Sequence, residues 1–289
     1  PEKERSSMRK GVLITGAAGG LGKAFAVDWA RRGWDLFLTD LDRGRLALLA
    51  EGLQRTYGVA VRYQASDLMD PFSRADLFRT LQDKDLRFQG LINVAGLDVE
   101  GVFKERTREE LRGIIRLNVE GTLEVTHMTL DLIDPMQPFW IITVSSLAAF
   151  FPIPVKATYA ASKRFLLDFS MALRDEIRTR VATVTVLCPA GLPTTPEAVA
   201  GIEAQGWIGQ LTTRNVGFVA RLTIDSALKG RRIVIPGWIN RFLRWGGGLL
   251  PAVALSGLLG KRWRTARQNR SDLSQDEPEL SKAAFHGGG

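Results

Sequence analysis

Seven short apolar runs, separated by segments long enough for helices, constrain this chain more than any other feature. The runs are GVLIT (11–15), DLFLTD (35–40), AVRYQASD (60–67), GLINVAG (90–96), FWIITVSS (139–146), ATVTVLCP (182–189) and RRIVIPG (231–237). Between them apolar residues recur at helical spacing near 21–32, 43–57, 72–83, 107–132, 156–179 and 214–229. Strands apolar on both faces and joined through helices predict right-handed crossovers and a parallel sheet covered on both sides. The expected class is therefore α/β, a doubly wound seven-stranded parallel sheet. Ligands of such sheets bind beyond the carboxyl ends of the strands, where the strand order reverses. One stretch competes with this reading: 135–155 holds 21 uncharged residues, nominally enough to cross a bilayer. Four prolines (135, 138, 152 and 154) flank its β-branched centre, so it reads as a buried strand with its loops.

The turn after the first strand is rich in glycine. In TGAAGGLG, Gly16, Gly20 and Gly22 stand between a strand and a helix. Glycine allows a tight turn and a close backbone approach to a pyrophosphate, which then rests at the positive helix N-terminus. Lys23 and Ala24 follow, so this is not a G-K-[ST] phosphate loop. Eighteen residues past Gly22, Asp40 ends the second strand. A carboxylate there accepts the ribose hydroxyls of an adenosine and repels a 2′-phosphate, which favours NAD over NADP. Leu41 follows where an arginine would suit a phosphate, although Arg43 and Arg45 nearby keep NADP open. Asp67, ending the third strand, is a candidate adenine contact.

In ATYAASKRF a phenol and an ammonium, Tyr159 and Lys163, stand four residues apart and so share a helix face. A free phenol has a pKa of about 10. An ammonium about 4 Å away, at an effective dielectric constant of about 20, is worth about 4 kcal/mol, or about three pKa units. The pair is therefore expected to bring Tyr159 near neutrality as a general acid/base. Only two histidines are present, His127 and His286, and one cysteine, Cys188. A His-centred triad, a multi-histidine or multi-cysteine metal site and an internal disulfide are thus disfavoured, and no metal is expected. His127 reads as a structural histidine and Cys188 as a buried strand residue.

With these residues assembled, the chain resembles the short-chain dehydrogenases/reductases over about 10–237. The resemblance is carried by TGAAGGLG, Asp40, NVAG (93–96), RLNVEGT with Asn118, VSS ending in Ser146, YAASK, and CPAGLPTT. It implies a Rossmann domain and a catalytic set of Asn118, Ser146, Tyr159 and Lys163. Tyr159 would exchange the proton, Ser146 polarise the substrate oxygen, Asn118 hold a water in the proton path, and Lys163 reach the nicotinamide ribose. The implied cofactor contacts are Thr15, Gly16, Ala18, Gly20, Leu21, Gly22, Asp40, Leu41, Asp67, Leu68, Asn93, Ala95, Gly96, Tyr159, Lys163, Pro189, Gly191, Leu192 and Thr194. Two positions depart from the family pattern: Val94 replaces the second Asn of NNAG, and Ala190 stands where a glycine follows Pro189.

The net charge of +8 is uneven. Ten Lys or Arg and no Asp or Glu lie between Lys229 and Arg270, so the basic character belongs to the C-terminal part. The expected organisation is a polar segment (1–9), the Rossmann domain (10–237), an apolar and basic helical extension (238–270) and a disordered tail (271–289). Within the extension, 245–260 is uncharged but contains five glycines and Pro251. Trp238, Trp245 and Trp263 with flanking arginines suit a membrane boundary better than a span, placing a peripheral membrane contact at 238–264. Covering the substrate cleft or a partner subunit is an equal alternative. The region 193–214 would form a substrate lid, with Phe150, Phe151 and Trp207 as apolar lining. The expected protein is a cytoplasmic enzyme, membrane-peripheral, acting on a lipophilic alcohol or ketone, with a homodimer or tetramer implied by the resemblance. A silent nucleotide sensor and a reductase of carrier- or CoA-bound 3-ketoacyl groups are the alternatives. Nucleic acid is not an expected partner, since no recognition motif is present.

Overall fold

The computed structural model describes residues 11–177, 182–193, 213–247 and position 257. Seven parallel strands form one sheet in the order β3-β2-β1-β4-β5-β6-β7. They are β1 (Gly11–Thr15), β2 (Asp35–Asp40), β3 (Val61–Ala65), β4 (Gly90–Asn93), β5 (Phe139–Val144), β6 (Ala182–Leu187) and β7 (Ile233–Val234). After β3 the chain crosses back to place β4 beside β1, so the strand order reverses there and a crevice opens beyond their carboxyl ends. The expected sheet is the one observed. Stretch 135–155 supplies β5 and its loops, and no helix among the described residues is long and apolar enough to cross a membrane.

Helices cover both faces because successive strand residues point to opposite sides. Ile14 packs into the core beneath α1 (Gly20–Arg31), α2 (Arg43–Tyr57) and α7 (Val216–Leu228). Its neighbour Leu13 packs with α3 (Pro71–Asp83), α5 (Thr122–Leu130) and α6 (Ala157–Ile177). Local chemistry sets the helix ends. Asp42 and Asp70 cap α2 and α3, Asn215 caps α7, and Thr107 with Glu110 forms a reciprocal capping box on α4 (Arg108–Ile115).

Two elements differ from the sequence-based expectation. The single helix expected over 107–132 is interrupted: α4 passes into a π-helical turn, Arg116–Gly121, before α5 continues. Apolar spacing runs on through such an insertion, which is why periodicity does not reveal it. The seventh strand is two residues long, because it pairs only with β6 at the sheet edge. Beyond it, α8 (Trp238–Gly247) is the described part of the C-terminal extension. Residues 1–9, 248–256 and 258–289 lie outside the described residues, as do Thr194, Trp207, Trp263 and most of the expected lid.

Candidate active site

Two backbone approaches and one side-chain tie build the crevice floor. Gly16 has φ +62°, and a Cβ there would lie 2.7 Å from the Ala95 nitrogen. A Cβ on Gly22 would lie 2.1 Å from the Gly16 oxygen. Only glycine allows the first turn of α1 to fold this tightly against β1 and the end of β4. Thr15 accepts hydrogen bonds from the amides of Val94 (3.1 Å) and Ala95 (3.3 Å), tying the same two strand ends together. Gly19 precedes α1 with no side-chain cap, so the first-turn amides are left to a ligand or solvent. Gly20 opens that turn, while Ala18 and Leu21 are buried beneath it.

Asp40 is more engaged than its position at the end of β2 suggests. One carboxylate oxygen accepts from the Ala18 amide (2.9 Å) and the other from the Leu41 amide (2.7 Å). The carboxylate thus holds the glycine turn while keeping a fixed negative charge beside it. The Leu41 side chain is exposed. Asp67 turns its oxygen to the Met69 amide (2.8 Å), and Leu68 is buried with its carbonyl facing Arg74 (2.6 Å). Asn93 is buried, donates to Thr126 (2.9 Å), and leaves its Oδ1 without a partner. These features, a glycine cradle, uncapped helix amides and an orphaned buried acceptor, fit a dinucleotide lying across the strand ends. Pro189, Gly191 and Leu192 follow β6; the Pro189 carbonyl accepts from the Leu147 amide (2.7 Å), and Leu192 packs on the core.

The four residues expected to form a catalytic set converge at the ends of β4 and β5. Ser146 lies just past β5 and accepts from the Ala148 amide (3.1 Å), opening a 3-10 turn, Leu147–Phe150. Its hydroxyl also hydrogen-bonds the Tyr159 side chain. Lys163 is buried and donates to the Val144 carbonyl (3.0 Å). A Cβ on Gly96 would lie 3.1 Å from the Lys163 Nζ and 3.3 Å from the Asn118 Oδ1, so Gly96 is the opening where these groups meet. Asn118, in the π turn, is fully buried. Its Oδ1 accepts from the Leu97 amide (2.7 Å), and its Nδ2 donates to the Leu97 carbonyl and to Ser162 (both 3.0 Å). That side chain is a clamp between π turn and β4 loop, with little capacity left to hold a water.

The electrostatics depart from expectation. Burial pushes the Tyr159 phenol well above its ordinary 10, the Asp98 carboxylate raises it further, and the Ser146 hydrogen bond lowers it only partly. The Lys163 Nζ lies 5.8 Å from the Tyr159 ring centre and is itself pushed down to about 8, by burial. Lys163 donates to a backbone carbonyl, and burial, with Asp98, pushes the phenol up, so the expected near-neutral tyrosine is corrected: desolvation outweighs the nearby cation. His127 is exposed on α5 and not a structural core residue. Cys188 is buried, and burial pushes its thiol up to about 12, which suits an inert core residue.

Two residues without a sequence signal join the site. Lys156, one residue before α6, pairs with Asp98 (2.7 Å) and Glu100 (3.5 Å), and its Nζ lies 5.4 Å from the Tyr159 ring centre. Gly101 donates to the Val155 carbonyl (2.8 Å), and Val155 takes φ +62°, an unusual conformation for a β-branched residue. The β4 loop is thereby fastened over the start of α6. Only the proximity of Asp98 to NVAG and of Lys156 to Tyr159 could have flagged them. Among the described residues no group of three or more His, Cys, Asp or Glu could hold a metal.

A family model described as short chain dehydrogenase matches residues 10–205. Human 17-beta-hydroxysteroid dehydrogenase type 3 is 28% identical over 198 residues, covering 67% of this chain and 63% of that protein. The very-long-chain 3-oxoacyl-CoA reductase of Laccaria bicolor is 33% identical over 181 residues, covering 60% and 52%. The chain thus spans between half and two thirds of the length of these curated relatives. A solved short-chain dehydrogenase from Sphingobium yanoikuyae, in complex with NADPH, superposes with a TM-score of 0.71 at 28% identity, covering 94% of this chain and 97% of that one.

Proposed function

The chain belongs to the short-chain dehydrogenase family, and on that footing we propose that it interconverts a secondary alcohol and a ketone on a lipophilic substrate, with Tyr159 as the general acid/base. The observation that carries this reading is the meeting of Ser146, Tyr159, Lys163 and the Asn118 clamp around Gly96, beside the glycine cradle. A nicotinamide dinucleotide, when bound, supplies or accepts the hydride. Everything else falls to the chain's own groups. The Tyr159 hydroxyl, kept protonated by burial and by Asp98, gives its proton to the carbonyl oxygen as the ketone is reduced. Ser146 shares that oxygen, polarising the carbonyl and steadying the phenolate left behind. Lys163, buried beside Tyr159, would hold the nicotinamide ribose. Asn118 fixes the β4 loop against the π turn.

Asp40 supports NAD over NADP, since a 2′-phosphate would meet a carboxylate already fixed beside the glycine turn. Arg45, which could counter that charge, is paired with Asp42 at 3.1 Å. The lipophilic substrate class rests on the half-buried Phe150 and Phe151, which follow Ser146, and on the curated relatives, named for a 17-beta-hydroxysteroid and a very-long-chain 3-oxoacyl-CoA. The test is absorbance at 340 nm with NADH and NADPH against steroid ketones, 3-oxoacyl thioesters and short polar aldehydes. Turnover of an apolar ketone with NADH, lost in Tyr159→Phe while nucleotide binding persists, is the expected result. Undiminished turnover in Tyr159→Phe would overturn the mechanism. Nucleotide binding with no turnover on any carbonyl would point instead to a sensor.

A further inference from the structure

Helix α8 presents an apolar ridge to solvent. Trp238, Phe242 and Trp245 are 70%, 62% and 67% exposed. At 100° per residue the three fall within a stripe about 60° wide. The rings of Phe242 and Trp245 lie 6.2 Å apart, so the ridge is continuous. Its opposite side is anchored: Asn240 is buried and donates to the Pro236 carbonyl (2.7 Å). Arg241 borders one edge of the ridge with Arg244 further round the same side, and no acidic residue occurs between Lys229 and Gly247. The Arg244 guanidinium lies 4.9 Å from the centre of the Phe150 ring, at the end of the 3-10 turn that Ser146 opens. The helix bearing the ridge therefore rests on the rim of the catalytic crevice.

We propose that the Trp238/Phe242/Trp245 ridge of α8 seats the protein on an anionic lipid surface, beside the rim of the Ser146–Tyr159 crevice. The charge chooses this occupant. Aromatic side chains with arginines alongside and no carboxylate match a headgroup layer bearing negative charge, where the rings settle at the polar–apolar boundary. Continuity of composition agrees: 248–260 is uncharged and mostly apolar, and 261–264 is KRWR. A protein partner fits less well, because three partly exposed aromatics offer on the order of 400–500 Å², against about 800 Å² per side for a standard interface. Delivery of substrate from the lipid rests on the lipophilic substrate class proposed above; the seating itself does not.

The test uses the full chain with phosphatidylcholine vesicles and with phosphatidylcholine–phosphatidylserine vesicles. The expected result is co-sedimentation with the anionic vesicles, weakened by raised salt, with a blue shift in tryptophan emission. Trp238→Ser/Phe242→Ser/Trp245→Ser should lower partitioning about tenfold or more and leave turnover of a water-soluble ketone unchanged. Arg241→Glu/Arg244→Glu should abolish the preference for anionic vesicles while keeping the aromatic ridge. Parent protein that stays in the supernatant, or a triple variant that partitions as the parent does, overturns the proposal. So does an oligomer that the triple substitution dissociates with no change in vesicle binding, which would assign the ridge to a second copy. A parent that binds vesicles through the ridge but reduces no ketone leaves the seating standing and removes the catalytic reading instead.

Discussion

Lys163 and Tyr159 carry opposite protonation costs, and both should be visible in pH titrations. Burial lowers the lysine from its ordinary 10.5 to about 8. Between those values the unfolded chain holds a proton that the folded chain has released, so stability should rise with pH across that window. Lys163→Met should flatten the rise in denaturant midpoints measured from pH 8 to 10. Tyr159 behaves in the other sense: its folded value is raised, so the native state keeps a proton the unfolded chain loses, and stability should fall above pH 10. Asp98 is the charged group that raises the phenol. Removing its charge in Asp98→Asn should shift the alkaline limb of the pH–rate profile for alcohol oxidation to lower pH, while an unmoved limb would show that Asp98 does not tune the tyrosine. The sequence made Tyr159 and Lys163 legible through their spacing, but spacing fixes only which face two side chains share. Desolvation, and the fold-back that brings Asp98 to α6, arise from tertiary structure.

The π turn depends on one buried arginine. Arg74, on α3, has no exposed surface and donates to Glu120 (2.6 Å), to both oxygens of Glu124 (2.6 and 2.9 Å) and to the Leu68 carbonyl (2.6 Å). Desolvation opposes its charge, yet the two glutamates raise its proton affinity above normal. It thereby joins the Asp67–Leu68 loop to the turn that carries Asn118. Gly121 closes the same junction, since a Cβ there would lie 2.8 Å from the Leu68 oxygen. Arg74→Met strands a buried carbonyl and two half-exposed carboxylates, and should cost about 2–4 kcal/mol by urea unfolding. Should Arg74→Met unfold at the parent's urea midpoint, the clamp is unimportant. Gly22→Ala should do more local damage: its Cβ would meet backbone that cannot move aside, so nucleotide affinity should collapse in fluorescence titrations while α2 to α7 keep their far-ultraviolet signal. Glycine positions of this kind can be read directly from the chain, because strand, turn and helix are contiguous in sequence. The Arg74 junction spans α3 and α5 and leaves no such pattern.

Distant parts of the chain are held together across α1 and α7. Asp28 is almost buried and pairs with Arg31 (2.5 Å), Arg32 (2.7 Å) and Arg221 (3.6 Å), and Arg32 also reaches Asp225 (2.7 Å). The adjacent core mixes Phe25 and Trp29 with Val219, Ile224 and Val234, so residues about 200 apart share one apolar layer. The doubly wound order explains this: β1 is central, and α1 and α7 cover neighbouring strands on the same face. That organisation was legible from the alternation of apolar runs, whereas the ion cluster was not, because it needs the packed helices to exist. A sheet whose two cores share every central strand should unfold as a unit. Asp28→Ala therefore tests the whole molecule. It leaves three guanidinium groups crowded at one end of α1, and because those groups are partly solvated the cost should be about 2–3 kcal/mol, below that of a fully buried pair. If the layers are coupled, tryptophan fluorescence, to which Trp29 and Trp34 in this layer contribute, and far-ultraviolet circular dichroism should shift to the same lower midpoint. Separate midpoints for the two signals would mean that the α1–α7 layer opens on its own, before the rest of the sheet unfolds.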